Sequence, residues 1–213
     1  MITLLADPEI TGIPVRDNGE PLVDLTALGL LFEGGNAAGA SVRAGVAERL
    51  VRADAALPAG HRLLIREGYR AASEQLRIIA GYSETLRRRQ PELDELALRW
   101  LLSRFVAPIE VAPHVAGAAV DLTLVDAAGR PLWMGTPIDA TPEESANACL
   151  FDADNIDALA RSHRVLLGSV LSGAGLVNYP TEWWHWSFGD RYWAFATGAD
   201  HAIYGAIADE AAA

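Results

Sequence analysis

Two short stretches of this chain carry side chains able to ligate a metal ion: Pro113-His114-Val115-Ala116-Gly117-Ala118-Ala119-Val120-Asp121 and Thr181-Glu182-Trp183-Trp184-His185-Trp186. His114, Asp121 and His185 together offer two imidazoles and a carboxylate. That is the donor set of an open zinc site, whose fourth tetrahedral position is left to water. Glu182 lies three residues before His185, where it can approach such a water without being a ligand itself. A zinc-bound water loses its proton near neutral pH, and a neighbouring carboxylate can take that proton and pass it to a leaving amine. The chemistry implied is hydrolysis with one catalytic zinc ion.

Spacing then constrains the backbone. Seven steps separate His114 from Asp121, about 23 Å of extended strand, whereas two ligands of one ion must converge. The chain between them has to fold back, and Gly117 with the small Ala116, Ala118 and Ala119 supplies freedom and room for the bend. Pro113 restricts the backbone ahead of His114. His185 arrives 64 positions after Asp121, from a different element. Arg70, after Gly68-Tyr69 at the end of an expected strand, is a candidate for stabilising the oxyanion of peptide hydrolysis. The plainer reading of Arg70 is an arginine paired with a surface carboxylate. Trp183, Trp184 and Trp186 can equally be core aromatics. Iron(II) oxygenases also use two histidines and a carboxylate, though with the first two ligands close together on one strand. A zinc-stabilised binding module would need neither Glu182 nor Arg70.

The elements that must hold these residues can be read from periodicity. Residues 1–40, rich in turn formers such as Thr11-Gly12-Ile13-Pro14 and Gly34-Gly35-Asn36, predict an irregular arm with short strands wrapping the domain. Ser41 is read as the N-cap of a helix carrying Val42, Val46, Leu50 and Val51. Arg62 to Arg70 reads as a core strand ending in a turn at Gly68. Helices are expected from about Ser73 to Gln90, from Glu92 to about Phe105, and from about Asn155 to Ala174. Val120 to Val125 reads as a strand leading into the Asp126–Gly129 turn. Leu176–Tyr179, Trp183–Phe188 and Tyr192–Phe195 read as three aromatic strands. Helices and closely spaced strands are mixed, which favours a single α+β domain with a small antiparallel sheet flanked by helices.

Bulk properties narrow the function. The 213 residues suit one well-cored domain, and a formal charge of −11 disfavours nucleic acid or an anionic membrane as partner. Cys149 is alone and reads as a small core residue. No stretch approaches the ~20 apolar residues of a membrane span. The short apolar run Ile2–Leu5 meets Asp7 and Glu9 with no basic residue before it, so a cytoplasmic protein acting on a small peptide is expected.

A resemblance adds to this. His114 to Asp121 with Gly117 and Ala119, followed by Leu122-Thr123-Leu124, resembles the first zinc motif of the D-alanyl-D-alanine dipeptidases, the VanX-type zinc metallopeptidases of family M15. Glu182-Trp183-Trp184-His185 is similar to that family's second motif, with its catalytic Glu and last zinc ligand. Glu67-Gly68-Tyr69-Arg70 resembles the segment bearing the transition-state Arg. Met134-Gly135-Thr136-Pro137-Ile138-Asp139 looks like a segment lining the substrate site, which would let Asp139 contact the substrate's amino group and puts Trp184 beside the substrate. The resemblance implies an α+β fold of the hedgehog/DD-peptidase type, one zinc ion, and cleavage of D-Ala-D-Ala in peptidoglycan metabolism. A D,D-carboxypeptidase acting on longer stem peptides is the alternative. The chain departs from the pattern at Ala112, where the family has a Ser that helps to hold the substrate carboxylate. It also lacks the Tyr that follows the Asp-Leu of its amino-terminal arm.

Overall fold

The computed structural model describes residues 2–208. Its centre is strand β5 (Ala119–Val125), in which every residue is buried. Such a run of Ala, Val and Leu can be covered on both faces, so Asp121 and Thr123 within it are polar groups held in the interior. β5 pairs antiparallel with β4 (Arg62–Glu67) on one side and with β7 (His185–Ser187) on the other. β6 (Val177–Asn178) pairs antiparallel with β7 at one edge, and β2 (Leu31–Phe32) closes the other edge against β4. The β2–β4 pair is parallel, so the small sheet is antiparallel in all but its edge. A separate ribbon joins β1 (Leu22–Asp24) to β3 (Ser41–Arg43).

Register does the first part of the positioning. Asp121 stands directly across from His185 on β7 and from Glu67 on β4. One row across the sheet therefore holds two of the expected metal donors and a further carboxylate. The β4–β5 ladder slips between Ile65 and Glu67, and a bulge of this kind re-aims the residues beyond it.

Helices cover the sheet. α2 (Ala44–Ala55) buries Val46, Ala47, Leu50 and Ala53 and packs on α5 (Ala158–Gly173). Each branched side chain so buried contributes roughly 1.5–3 kcal/mol. α3 (Ala72–Arg89) packs on α4 (Glu95–Leu102), and α1 (Pro8–Thr11) packs on α6 (Arg191–Thr197). Starts are set by side-chain caps: Asp94, Asp157 and Asp190 each accept backbone N–H bonds from the first turn they precede.

The structure corrects the sequence reading at two elements. Ser41 is not the N-cap of a helix; it pairs with Asp24 in the β1–β3 ribbon, and α2 begins after Arg43. Tyr192–Phe195 is helical, because the Asp190 carboxylate takes the N–H groups of Tyr192 and Trp193. The first forty residues hold α1, β1, β2 and two short 3-10 turns, Thr26–Leu28 and Ala37–Ala40. Leu4, Leu5 and Ile10 from this segment form a second apolar cluster with Val111, Tyr179 and Tyr192. Among the described residues no helix is long and apolar enough to cross a membrane.

Candidate active site

His114 sits in a single 3-10 turn, His114–Ala116, that leads from Pro113 to Gly117. Gly117 has φ +64°, and a Cβ there would lie 2.6 Å from a methyl of Leu22. The bend between His114 and Asp121 thus depends on a residue with no side chain. The His114 Nδ1–H donates to the carbonyl of Gly68 at 2.7 Å. This leaves Nε2 as the ring nitrogen with a free lone pair, the usual way a neighbouring carbonyl fixes a metal-binding tautomer.

The three expected donors converge. His114 Nε2 lies 3.2 Å from His185 Nδ1 and 3.3 Å from Asp121 Oδ2. His185 Nδ1 lies 3.0 Å from Asp121 Oδ1. All three residues are buried. Two ligands ~2.0 Å from one ion at the tetrahedral angle are about 3.3 Å apart, close to these separations, with one Asp121 oxygen facing each imidazole. The cluster could bind a metal ion. Burial alone would lift the Asp121 carboxyl, but the imidazoles of His114 and His185 hold it far below the ordinary carboxylate range.

Glu182 sits on the tight turn before β7, where its N–H bonds to the Tyr179 carbonyl and its own carbonyl accepts from the Asn178 side chain. Glu182 Oε2 is 3.8 Å from His185 Nδ1. Burial, then the charges of Asp121 and Asp139, push the Glu182 carboxyl well above its usual value, against the pull of Arg70.

Arg70 is bound on both its backbone and its side chain. Its N–H donates to the carbonyl of His114 at 3.1 Å. Its Nε donates to Glu67 Oε1 at 2.8 Å, Nη2 donates to the other oxygen of that carboxylate, and Nη1 donates to Gln75 Oε1 at 2.7 Å. Gln75 is itself buried and tied to the Ala107 carbonyl. Burial works against the guanidinium's charge, but Glu67, Asp121 and Glu182 outweigh it and keep Arg70 ionised. Its carboxylate partner is Glu67, a part-exposed residue that also lines the cavity.

These residues share one cavity of about 450 Å³. Its polar lining includes Glu67, Arg70, Asp121, Asp139, Glu182 and the two imidazoles, with Gln75, Thr141 and Glu144. Its apolar lining includes Leu5, Ile78, Phe105, Val106 and Ala107. Asp139 adopts φ +65°, a conformation Asp tolerates better than most residues. It is open to solvent on one side, yet crowding by the protein, then Asp121 and Glu67, push its carboxyl up to about 6. Trp184 is buried edge-on to Trp183 and lines the cavity. Ala112 is buried, and Pro113 forms that stretch of wall. Cys149 is buried.

Several partners escaped the sequence reading. Glu67 stands in the quoted motif but was not singled out, and Gln75 could be found only as the residue one turn into α3. Tyr179 packs edge-on to His185 with ring centroids 6.0 Å apart. Arg164, buried on α5, donates to the carbonyls of Met134, Ala148 and Leu150 and so holds the loop that carries Asp139. Thr136 in the same loop accepts from the indole of Trp183, next to Glu182.

Fold and site together define an α+β domain with a buried His-Asp-His cluster able to take a metal ion, an acid beside it and an arginine in the same cavity. Residues 36–202 match the family model described as D-ala-D-ala dipeptidase, and the chain belongs to that family of peptidases, M15. A D-alanyl-D-alanine dipeptidase of Synechocystis sp. is 29% identical over 92% of this chain and 93% of its own length. The D-alanyl-D-alanine dipeptidase of Escherichia coli (strain K12) is 36% identical over a shorter stretch, 34% of this chain and 35% of its own. Family membership makes the chain a hydrolase and removes the oxygenase reading.

Proposed function

We propose that this protein hydrolyses D-Ala-D-Ala, or a related dipeptide containing D-amino acids, in the metabolism of peptidoglycan precursors or wall fragments. His114 Nε2, His185 Nδ1 and Asp121 would hold one zinc ion, which the donor set and its edge lengths fit. When bound, zinc supplies Lewis-acid polarisation of a carbonyl and a water of lowered pKa.

The chain's own groups divide the remaining work. Glu182, made basic by burial and by its carboxylate neighbours, is the acceptor for the proton of the attacking water and its donor to the departing amine. Arg70 stays charged and is held by Glu67 and Gln75, so it faces the developing oxyanion without having to reorganise. Asp139 at the rim is the group for the substrate's ammonium, and Trp184 is a flat wall beside it. The observation that carries this reading is the convergence of His114, Asp121 and His185 beside Glu182 and across one cavity from Arg70. The names of the two relatives supply the substrate.

The purified zinc form should cleave D-Ala-D-Ala faster than L-Ala-L-Ala. Chelation should abolish turnover and added zinc should restore it. Glu182→Ala should keep zinc and lose roughly 10²–10⁴-fold in kcat. Preferential release of D-Ala from a stem pentapeptide would favour the D,D-carboxypeptidase alternative. Full activity after verified metal removal, or unchanged cleavage by Glu182→Ala, would overturn the mechanism. Stoichiometric zinc with no turnover of any peptide would make the protein a binding module.

A further inference from the structure

The apolar lining of the cavity comes from segments that hold no candidate metal donor. Ile78 comes from α3, Phe105, Val106 and Ala107 follow α4, and Leu5 comes from the amino-terminal segment. Leu5 lies outside residues 36–202, the span that matches the family model. It is nonetheless buried and tied to the body of the domain. The Leu5 N–H donates to Tyr179 Oη at 3.2 Å, and that hydroxyl donates to the Ser103 carbonyl at 2.5 Å. The Asp7 carboxylate accepts the N–H of Leu4, and Ile10 is fully buried behind them. One tyrosine hydroxyl thus pins the amino-terminal segment to the end of α4, while its ring packs on His185.

We propose that Leu5, clasped by Tyr179, is a specificity-determining residue: it closes an apolar subsite and restricts the substrate to small apolar side chains there. The inference rests on the dipeptidase reading above and deepens it. A side chain set against Leu5, Ile78, Phe105 and Val106 meets hydrocarbon, which gives a charged or amide group no hydrogen bond in return for lost water. Leu5 is the wall that bounds the subsite, and its side chain can be shortened without changing His114, Asp121, His185, Glu182 or Arg70.

The test measures kcat/KM for D-Ala-D-Ala, D-Leu-D-Ala and D-Ala-D-Leu in the parent, Leu5→Ala and Tyr179→Phe proteins. Calorimetric binding of the same three dipeptides to Glu182→Gln versions provides a readout free of turnover. Leu5→Ala is expected to raise the leucyl-to-alanyl ratio about 10-fold or more for one of the two leucyl peptides. Tyr179→Phe keeps the ring on His185 and removes the clasp, and should shift the same ratio in the same direction by less. Zinc content and melting temperature report whether each variant is folded. Folded variants whose ratios stay within about twofold of the parent, or that lose all three substrates equally, overturn the subsite and leave the dipeptidase reading intact. A parent protein that neither binds nor cleaves any of the three overturns that reading, and the subsite falls with it.

Discussion

Replacing Arg164 with methionine should cost the fold about 4 kcal/mol and lower the melting temperature by about 12 °C. Arg164 is 1% exposed, and its guanidinium donates to four carbonyls: Met134 at 2.7 Å, Ala148 at 2.7 Å, Leu150 at 2.5 Å and Phe151 at 3.3 Å. None of these partners is a carboxylate, and burial pulls its pKa down to about 10. Methionine keeps much of the volume but takes the donor from the buried carbonyls of Met134 and Ala148 and the part-buried one of Phe151, each costing ~1–3 kcal/mol, while Leu150 keeps the N–H of Ala153. Release of a buried cation returns part of that sum, and about 4 kcal/mol remains. In a chain of this size 1 kcal/mol corresponds to roughly 2–4 °C. Thermal melts with urea titrations at unchanged m-value measure the loss. Arg164→Lys should recover less than half, because one ammonium cannot span carbonyls that a planar fork reaches together. A fall of under about 3 °C for the methionine variant would refute the claim that this arginine organises the loop from Met134 to Phe151.

Two further outcomes follow from positions already described. Gly117→Ala introduces a methyl 2.6 Å from Leu22 at φ +64°; it should destabilise by about 2 kcal/mol and weaken zinc binding at least ~10-fold, read by melts and competitive metal titration. Asp139 has its folded pKa raised from 3.8 to about 6, so its contribution to stability is fully present below 3.8 and lost as pH rises through about 6. Asp139→Asn should therefore raise the melting temperature of the metal-free protein near pH 8 and do so progressively less towards pH ~5; an equal gain at both would contradict the sign.

Much of the architecture could be read without coordinates because periodic burial governs it. The Val120–Val125 run and the long α3 and α5 patterns fall where apolar spacing puts them. Elements decided by a distant partner could not. Ser41 looks like a cap until Asp24 pairs with it, and the aromatic run Tyr192–Phe195 looks like strand until Asp190 is seen capping it. The same division holds in the site. His114, Asp121, Glu182 and His185 have side chains whose chemistry is visible in their type and spacing. The group that orients His114 is the backbone carbonyl of Gly68, which every residue possesses and no motif reveals. Arg164, in an amphipathic helix, reads as a surface cation, and only the folded loop shows it surrounded by carbonyls.

The reciprocal tie between β4's end and the His114 turn has a consequence for how this protein can change over generations. The Gly68 carbonyl accepts a hydrogen bond from the imidazole N–H while Arg70 gives its own N–H to the His114 carbonyl. The cation and the first imidazole are therefore aimed as one body, and a substitution that tilts either must tilt both. The rest of the cavity wall is built otherwise, from the loop around Asp139 and from an amino-terminal segment whose Leu5 bonds to the Tyr179 hydroxyl. Heritable variation can be absorbed there without disturbing the paired groups. Lineages can thus diverge in diet while inheriting the same reaction, because mutation finds the two on separable parts of the chain.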